Sequence, residues 1–198
     1  MNKNSKISIS VIIPVFNEEA TLLIILKKFN ELIDHAEFEL IIVNDGSTDN
    51  TKKIIEDNSK LYNKAIHLKK NQGKGKAIIE GLKNSTKDYI FFQDADLEYS
   101  PNDILKFINI VNNDKADLII GSRFIGNTRS VLYFWHMMGN KVITMMFNIL
   151  NNTTFTDIYC CYCLFRRKNL NFKILRCYNW GQQAEILTYL SNNSKKIF

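Results

Sequence analysis

Three carboxylates stand at alternate positions at the end of the stretch Tyr89-Ile-Phe-Phe-Gln-Asp-Ala-Asp-Leu-Glu98: Asp94, Asp96 and Glu98. Acids packed that closely repel one another unless a cation sits between them. Oxygen-only donors suit a hard divalent ion, Mg²⁺ or Mn²⁺, which takes few ligands from protein and the rest from substrate phosphates and water. A solvated acidic turn would account for the same three residues, so the pattern needs support from the rest of the chain. The residues before it form a short apolar run of strand formers, the kind found in the middle of a sheet covered on both faces. A chain leaving a parallel strand there delivers its acids to the carboxyl edge of the sheet, where open α/β sheets hold their ligands.

Elements that could position those acids follow in order. Ile7–Ile13 reads as a first buried strand broken by Pro14, and Pro14-Val-Phe-Asn-Glu-Glu19 opens a helix to about Asp34. Leu22, Ile25, Leu26, Phe29 and Ile33 give that helix its apolar face. A second strand, Phe38–Val43, runs into the turn-rich Asn44-Asp-Gly-Ser-Thr-Asp49, which supplies a helix N-cap. A helix to about Leu61 precedes a short strand at Ala65–Leu68, and Asn71-Gln-Gly-Lys-Gly-Lys76 opens a helix to about Asn84. The acidic strand is fourth. A helix from Pro101 to about Asn112 and a fifth strand, Asp117–Gly121, lead to Ser122-Arg123. Five strand–helix alternations predict one doubly wound, mostly parallel α/β sheet. Its strand-end loops then bring Asn17-Glu18, Asp45, the carboxylates and Arg123 to one edge. A nucleotide with a metal is the economical ligand for four such loops.

Composition narrows the class. The 198 residues suffice for one domain with a real core, and 45% apolar with 23% charged residues describes a globular protein. A net charge of +6 suits phosphate-rich ligands or an anionic membrane surface, and no nucleic-acid-binding signature accompanies it. Cys160, Cys161 and Cys163 crowd together and Cys177 stands alone, with neither zinc nor redox spacing; they read as reduced, mostly buried thiols of a cytoplasmic protein. No secretory signal pattern opens the sequence. Walker A and G-x-G-x-x-G loops are absent. Lys74 and Lys76 read as a solvated helix start, whose backbone amides could still bind phosphate.

Five ordered motifs, Ser10–Glu19, Ile42–Asp49, Asn71–Gly75, Asp94-Ala-Asp96 and Gly121-Ser-Arg-Phe124, resemble those of the family 2 glycosyltransferases. Asp94-Ala-Asp-Leu-Glu-Tyr99, Gly139-Asn140 and Thr156-Asp157 resemble most the polyprenyl-phosphate sugar transferases of the dolichol-phosphate mannose synthase type. The resemblance implies a single GT-A-type domain, with a nucleotide-binding part to about residue 125 and an acceptor or membrane-side part over 126–198. It implies an inverting, metal-dependent transfer from a GDP-mannose or UDP-glucose type donor to a polyprenyl phosphate, peripheral at the cytoplasmic face of the membrane. Pro14, Phe16, Glu18, Val43 and Asp45 would line the base and ribose. Asp94, Ala95 and Asp96 would face the ribose and diphosphate, Asp94, Asp96 and Glu98 would hold the Mg²⁺ or Mn²⁺, and Asp94, Asp96 and Arg123 would carry catalysis. Arg123, Lys141, Asp157 and Glu185 would serve the acceptor. A saccharide-hydroxyl acceptor in cell-surface polysaccharide synthesis, or a non-catalytic nucleotide-sugar-binding truncation, are the alternatives. The stop at Phe198 reads as a shortened C-terminus, because such relatives continue with another strand.

Val131–Leu150 is largely apolar, but His136, Asn140, Thr144 and Asn148 recur every fourth residue and argue against a transmembrane span. The pattern predicts an amphipathic helix with Trp135, Met138, Met145, Met146 and Phe147 on its broad apolar face. Such a helix packs on a core or lies in a membrane interface; the resemblance implies the membrane.

Overall fold

The structure is a computed structural model and describes residues 6–124, 134–178 and 181–198. Strands β1 (Ser8–Val15), β2 (Glu37–Asn44), β3 (Lys64–His67) and β4 (Tyr89–Phe92) alternate with helices α1 (Leu22–Glu31), α2 (Thr51–Asp57) and α3 (Lys74–Asn84). Helix α4 (Ile104–Asp114), strand β5 (Leu118–Ile120), helix α5 (Phe134–Asn151), strand β6 (Cys163–Arg166) and helix α6 (Gly181–Asn193) complete the chain. The strands form one sheet in the order β3-β2-β1-β4-β6-β5. Pairings among β1, β2, β3 and β4 are parallel, and β6 runs antiparallel to both β4 and β5.

The sheet is a middle layer because alternate residues of its strands are apolar on both faces. Ile9, Val11, Ile13 and Phe91 meet Leu22, Ile25, Leu26 and Phe29 of α1 and Phe107 and Ile108 of α4. On the other face Ile12, Ile90, Phe92 and Phe165 meet Ile78, Ile79 and Leu82 of α3 and Ile186, Leu187 and Leu190 of α6. Helix α1 ends earlier than its periodicity suggests: Leu32 is buried beyond its last turn, while Ile33 points to solvent.

Pro14 does not break β1. The strand continues to Val15, with Pro14 in register with Val43. Along β1 the Ile12 carbonyl accepts from Gln93 on the β4 side, and the Val15 carbonyl accepts from Asp45 on the β2 side. Pro14, two residues from Ile12, therefore turns its missing N–H toward β4, whose pairing has already ended at Phe92.

Strand β6 is the element that the sequence pattern does not reveal. Four residues after a cysteine-rich run carry no alternation, yet β6 lies between β4 and β5. Both halves of the chain thus share one sheet. Beyond β5, the Ile120 N–H donates to the Phe198 carbonyl, and Ile197 bridges to Leu118 in parallel sense.

Candidate active site

The loops leaving β1 and β2 are stitched together by polar side chains. Asn17, at φ 56°, accepts from the Thr48 N–H at 2.8 Å, and Thr51 Oγ1 accepts from the Glu18 N–H at 2.8 Å. Glu18 is held in turn by the Thr21 hydroxyl at 2.6 Å. Asp45 is buried and accepts from the N–H groups of Gln72 and Gly73, each at 2.8 Å. It fixes the glycine loop that opens α3.

The acidic loop after β4 has a different support. Gln93 is fully buried; its amide donates to the carbonyls of Asp94 and Tyr99 at 2.9 and 3.3 Å and accepts from the Tyr162 hydroxyl at 3.0 Å. Leu97 sits at φ 63°, and the Glu98 N–H donates to Asp96 at 2.9 Å. The strand has ended at Phe92 and the chain turns at Leu97, so strand alternation does not govern Asp94, Asp96 and Glu98. Among the described residues no three His, Cys, Asp or Glu side chains converge as a metal cage. Asp94 instead pairs with the Lys74 ammonium at 2.5 Å. Lys74 also lies 3.6 Å from Cys161 Sγ. Burial works against the ammonium, and its contacts with Cys161 and the Asp94 carboxylate outweigh it, holding its pKa above the ordinary lysine value.

Two cavities open on this edge. The smaller, about 300 Å³, is lined by Pro14, Phe16, Glu18, Asp45, Asp94, Ala95 and Asp96, among others. Val43 is not among them: it is fully buried beside Ile41 and Ala77. The larger cavity, about 460 Å³, takes in Asp94, Asp96, Glu98 and Arg123 together with Tyr159, Tyr178, Gln182 and Gln183. Gly73, Lys74, Asp94 and Asp96 border both. The site therefore has two connected chambers with a cation and two acids at their junction. Metal chemistry fits this junction in a limited form: Asp94 and Asp96 can hold a divalent ion only if phosphate and water oxygens complete its shell.

Arg123 is clamped by Asp157, whose carboxylate takes its Nε and Nη2 at 2.8 and 3.0 Å. Asp157 is 1% exposed and also accepts from Asn140 of α5 at 2.9 Å. Burial raises its pKa, but the hydrogen bonds from Arg123 and Asn140 prevail and hold it below the ordinary aspartate value. It orients Arg123 and offers no free carboxylate to an acceptor. Glu185 is committed too, accepting from the N–H groups of Arg176 and Cys177 at 3.0 Å. Lys141 lines neither cavity; it is exposed, 6.0 Å above the Phe124 ring.

Helix α5 turns its polar arc inward. Asn140 reaches Asp157, Thr144 is buried, and Asn148 donates to the Phe155 carbonyl at 2.8 Å. The apolar face points away, with Trp135 80%, Ile149 74% and Leu150 81% exposed; Phe147 is the exception and is buried. Core packing of that face is thereby excluded for the described residues. The expected helix start at Val131 lies outside the described residues, as does Trp180. No helix among the described residues is long and apolar enough to cross a membrane.

Lys74 reads from the sequence as part of a solvated helix start, and Tyr159, Tyr178, Gln182 and Gln183 are not legible there as site residues. The Gly73-Lys-Gly75 pattern was the available signal for Lys74. The others reach the cavity from the segments preceding β6 and α6 and from the first turn of α6, which only the fold brings to the acidic loop.

Comparison with known proteins places this geometry. A dolichol-phosphate mannosyltransferase of Pyrococcus furiosus is 35% identical over 118 residues, 59% of this chain and 33% of that protein. An undecaprenyl-phosphate 4-deoxy-4-formamido-L-arabinose transferase of Proteus mirabilis is 28% identical over 184 residues, 90% of this chain and 55% of that protein. The chain thus spans between a third and just over half of these relatives. The crystal structure of glucosyl-3-phosphoglycerate synthase from Mycobacterium tuberculosis, with Mn²⁺, UDP and glucosyl-3-phosphoglycerate, superposes with a TM-score of 0.71 at 17% identity. That match covers 96% of this chain and 69% of the synthase, and it shows a shared GT-A fold. The family model for glycosyl transferase family 2 matches residues 10–172, and the chain belongs to that family.

Proposed function

We propose that this chain transfers a sugar, with inversion, from a nucleoside-diphosphate sugar to a polyprenyl phosphate presented at a membrane surface. The observation that carries the reading is the pair of connected cavities sharing Lys74, Asp94 and Asp96. A nucleoside fits the smaller chamber, its diphosphate the junction, and the sugar the larger one. Pro14, Phe16, Glu18 and Ala95 would contact the nucleoside, and Asp45 would act through the glycine loop it fixes. Residues to about 125 would serve the nucleotide, and the remainder would serve the transferred sugar and the acceptor.

Asp94 and Asp96 would hold Mg²⁺ or Mn²⁺ against the diphosphate, where the ion supplies positive charge to the departing group. Lys74 and the clamped Arg123 do the same from the protein side, an electrostatic contribution on the order of several kcal/mol. Arg123, held at fixed orientation by Asp157, also suits an incoming phosphate. A phosphate acceptor is already anionic at neutral pH and needs no general base. The two acceptor-side acids that could have served a hydroxyl acceptor, Asp157 and Glu185, are both engaged in internal hydrogen bonds. That favours the phosphate.

The outward apolar face of α5 supports docking at the membrane interface, where Trp135, Ile149 and Leu150 would enter the acyl boundary. A peripheral position at the cytoplasmic leaflet agrees with the net charge of +6. The similarity to the P. furiosus and P. mirabilis transferases points the same way.

The test uses the protein, Mn²⁺, vesicles carrying a polyprenyl phosphate, and labelled GDP-mannose and UDP-glucose. Glycolipid should form and should vanish with Asp96→Asn. Metal-dependent nucleotide binding without glycolipid, combined with transfer to a saccharide, would refute the lipid-phosphate acceptor.

A further inference from the structure

Two buried side-chain nitrogens lack a hydrogen-bond partner among the described residues, Arg166 Nε and Gln182 Nε2. The first is compensated by charge, since it lies 2.8 Å from Asp117 Oδ1. Gln182 has no such relief. The residue is 4% exposed, in the first turn of α6, and it lines the larger cavity. A buried amide without a partner forfeits its hydration and gains nothing in return, so such groups are rare unless a ligand or water completes them.

The surroundings indicate what completes it. Lys74 is paired with Asp94 and Arg123 with Asp157, and in the reading above both cations serve phosphate groups, so neither is left to recognise the sugar. Besides those charges and the carboxylates Asp96 and Glu98, the wall carries neutral amides and aromatic rings, among them Gln182, Gln183, Tyr159 and Tyr178. Gln183 is tethered, donating to the Cys160 carbonyl at 3.4 Å, which leaves Gln182 as the uncommitted amide of the two. Amide donors beside aromatic faces are suited to a neutral polyhydroxylated ring. The chamber is continuous with the diphosphate junction through Lys74, Asp94 and Asp96, as a sugar joined to that diphosphate requires.

We infer that Gln182 is a specificity-determining residue whose side-chain amide donates to a hydroxyl of the donor sugar in the larger cavity. The inference rests on the nucleotide-sugar reading above and names the residue that reads the sugar. An amide can donate to one oxygen and accept from a neighbouring hydroxyl, so it distinguishes hydroxyl positions as well as their presence.

The experiment compares wild type with Gln182→Met, which keeps the volume and removes the donor, and with Gln182→Glu, which keeps only acceptors. Binding of UDP, GDP, UDP-glucose and GDP-mannose is measured by titration calorimetry with Mn²⁺, alongside thermal unfolding. The expected result is a loss of about tenfold in affinity for the preferred nucleotide sugar in both variants, the worth of one neutral hydrogen bond. Affinity for the matching nucleoside diphosphate should change less than twofold, and Gln182→Met should melt no lower than wild type. Equal affinities of wild type and both variants for the nucleotide sugar would overturn the inference. So would a loss that is the same for the diphosphate and falls with melting temperature, because Gln182 would then be purely structural. A wild type that binds neither diphosphate nor nucleotide sugar would overturn the nucleotide-sugar reading along with it.

Discussion

Replacing Asp157 with asparagine removes the charge that orients Arg123 while conserving shape. The carboxylate accepts from Arg123 Nε at 2.8 Å, Arg123 Nη2 at 3.0 Å, Asn140 Nδ2 at 2.9 Å and the Tyr159 N–H at 3.1 Å. An amide can keep one oxygen as acceptor, but its NH₂ then faces a donor. Removing one partner of a fully buried ion pair costs roughly 3–5 kcal/mol. Arg123 keeps 20% of its side chain accessible and can recover some hydration, so we expect about 2–3 kcal/mol here. For a chain of this size that lowers the melting temperature by roughly 5–10 °C.

The pH dependence carries the same signature. Because the folded-state pKa of Asp157 lies below its unfolded value, the pair's contribution is complete above the unfolded carboxylate pKa, about 4. It is lost as pH falls through the folded value, and the asparagine variant should lack that part of the acid slope. The assays are thermal unfolding from pH 3 to 8 and glycolipid formation by each protein. Turnover should fall through misorientation of Arg123, with substantial residual activity and no change in the pH–rate profile. An unchanged melting temperature with activity lost entirely and one limb of the pH–rate profile removed would refute the reasoning, because Asp157 would then be a general base.

Lys74→Met should weaken UDP binding by roughly ten- to a hundredfold, as expected for a charge-assisted contact, and leave uridine affinity unchanged; calorimetry with both ligands decides it. A Cβ at Gly75 would fall 2.5 Å from the Tyr178 carbonyl oxygen, a backbone atom that cannot swing aside. Gly75→Ala should therefore cost about 1–3 kcal/mol in denaturant unfolding and weaken nucleotide-sugar binding more than diphosphate binding. The paired change Ile149→Glu and Leu150→Glu on the outward face of α5 should leave stability within roughly 0.5 kcal/mol, since both side chains are exposed. Vesicle co-sedimentation should drop in that variant, and unaltered sedimentation would rule out membrane docking through this face.

Much of the architecture is decided locally. Runs such as Val11–Ile13 and Leu40–Val43 are apolar at every position, which commits them to a sheet covered on both sides, and the alternating helices then enforce parallel strands and a shared ligand edge. Pro14, Phe16, Glu18, Asp45, Asp94 and Asp96 reach that edge for the same reason: each follows or ends such a strand. What sequence could not set is whatever depends on partners distant in the chain. Pro14 stays within β1 because β4 is too short to need its N–H, a fact about another strand. Four residues from Cys163 form β6 only because a slot remains between β4 and β5, where antiparallel pairing is open to them. Periodicity showed that α5 has two faces, but which one turns inward was fixed by the Asp157 carboxylate and by the backbone N–H of Ile158 and carbonyl of Phe155, partners across a loop. The even spacing of Asp94, Asp96 and Glu98 suggested one ligand set; the turn at Leu97 and the Lys74 ammonium beside Asp94 were not legible in that spacing. Local pattern determines which segments are strands and which carry charge; the pairing of those charges is a property of three-dimensional neighbours, and it was settled by the tertiary structure alone.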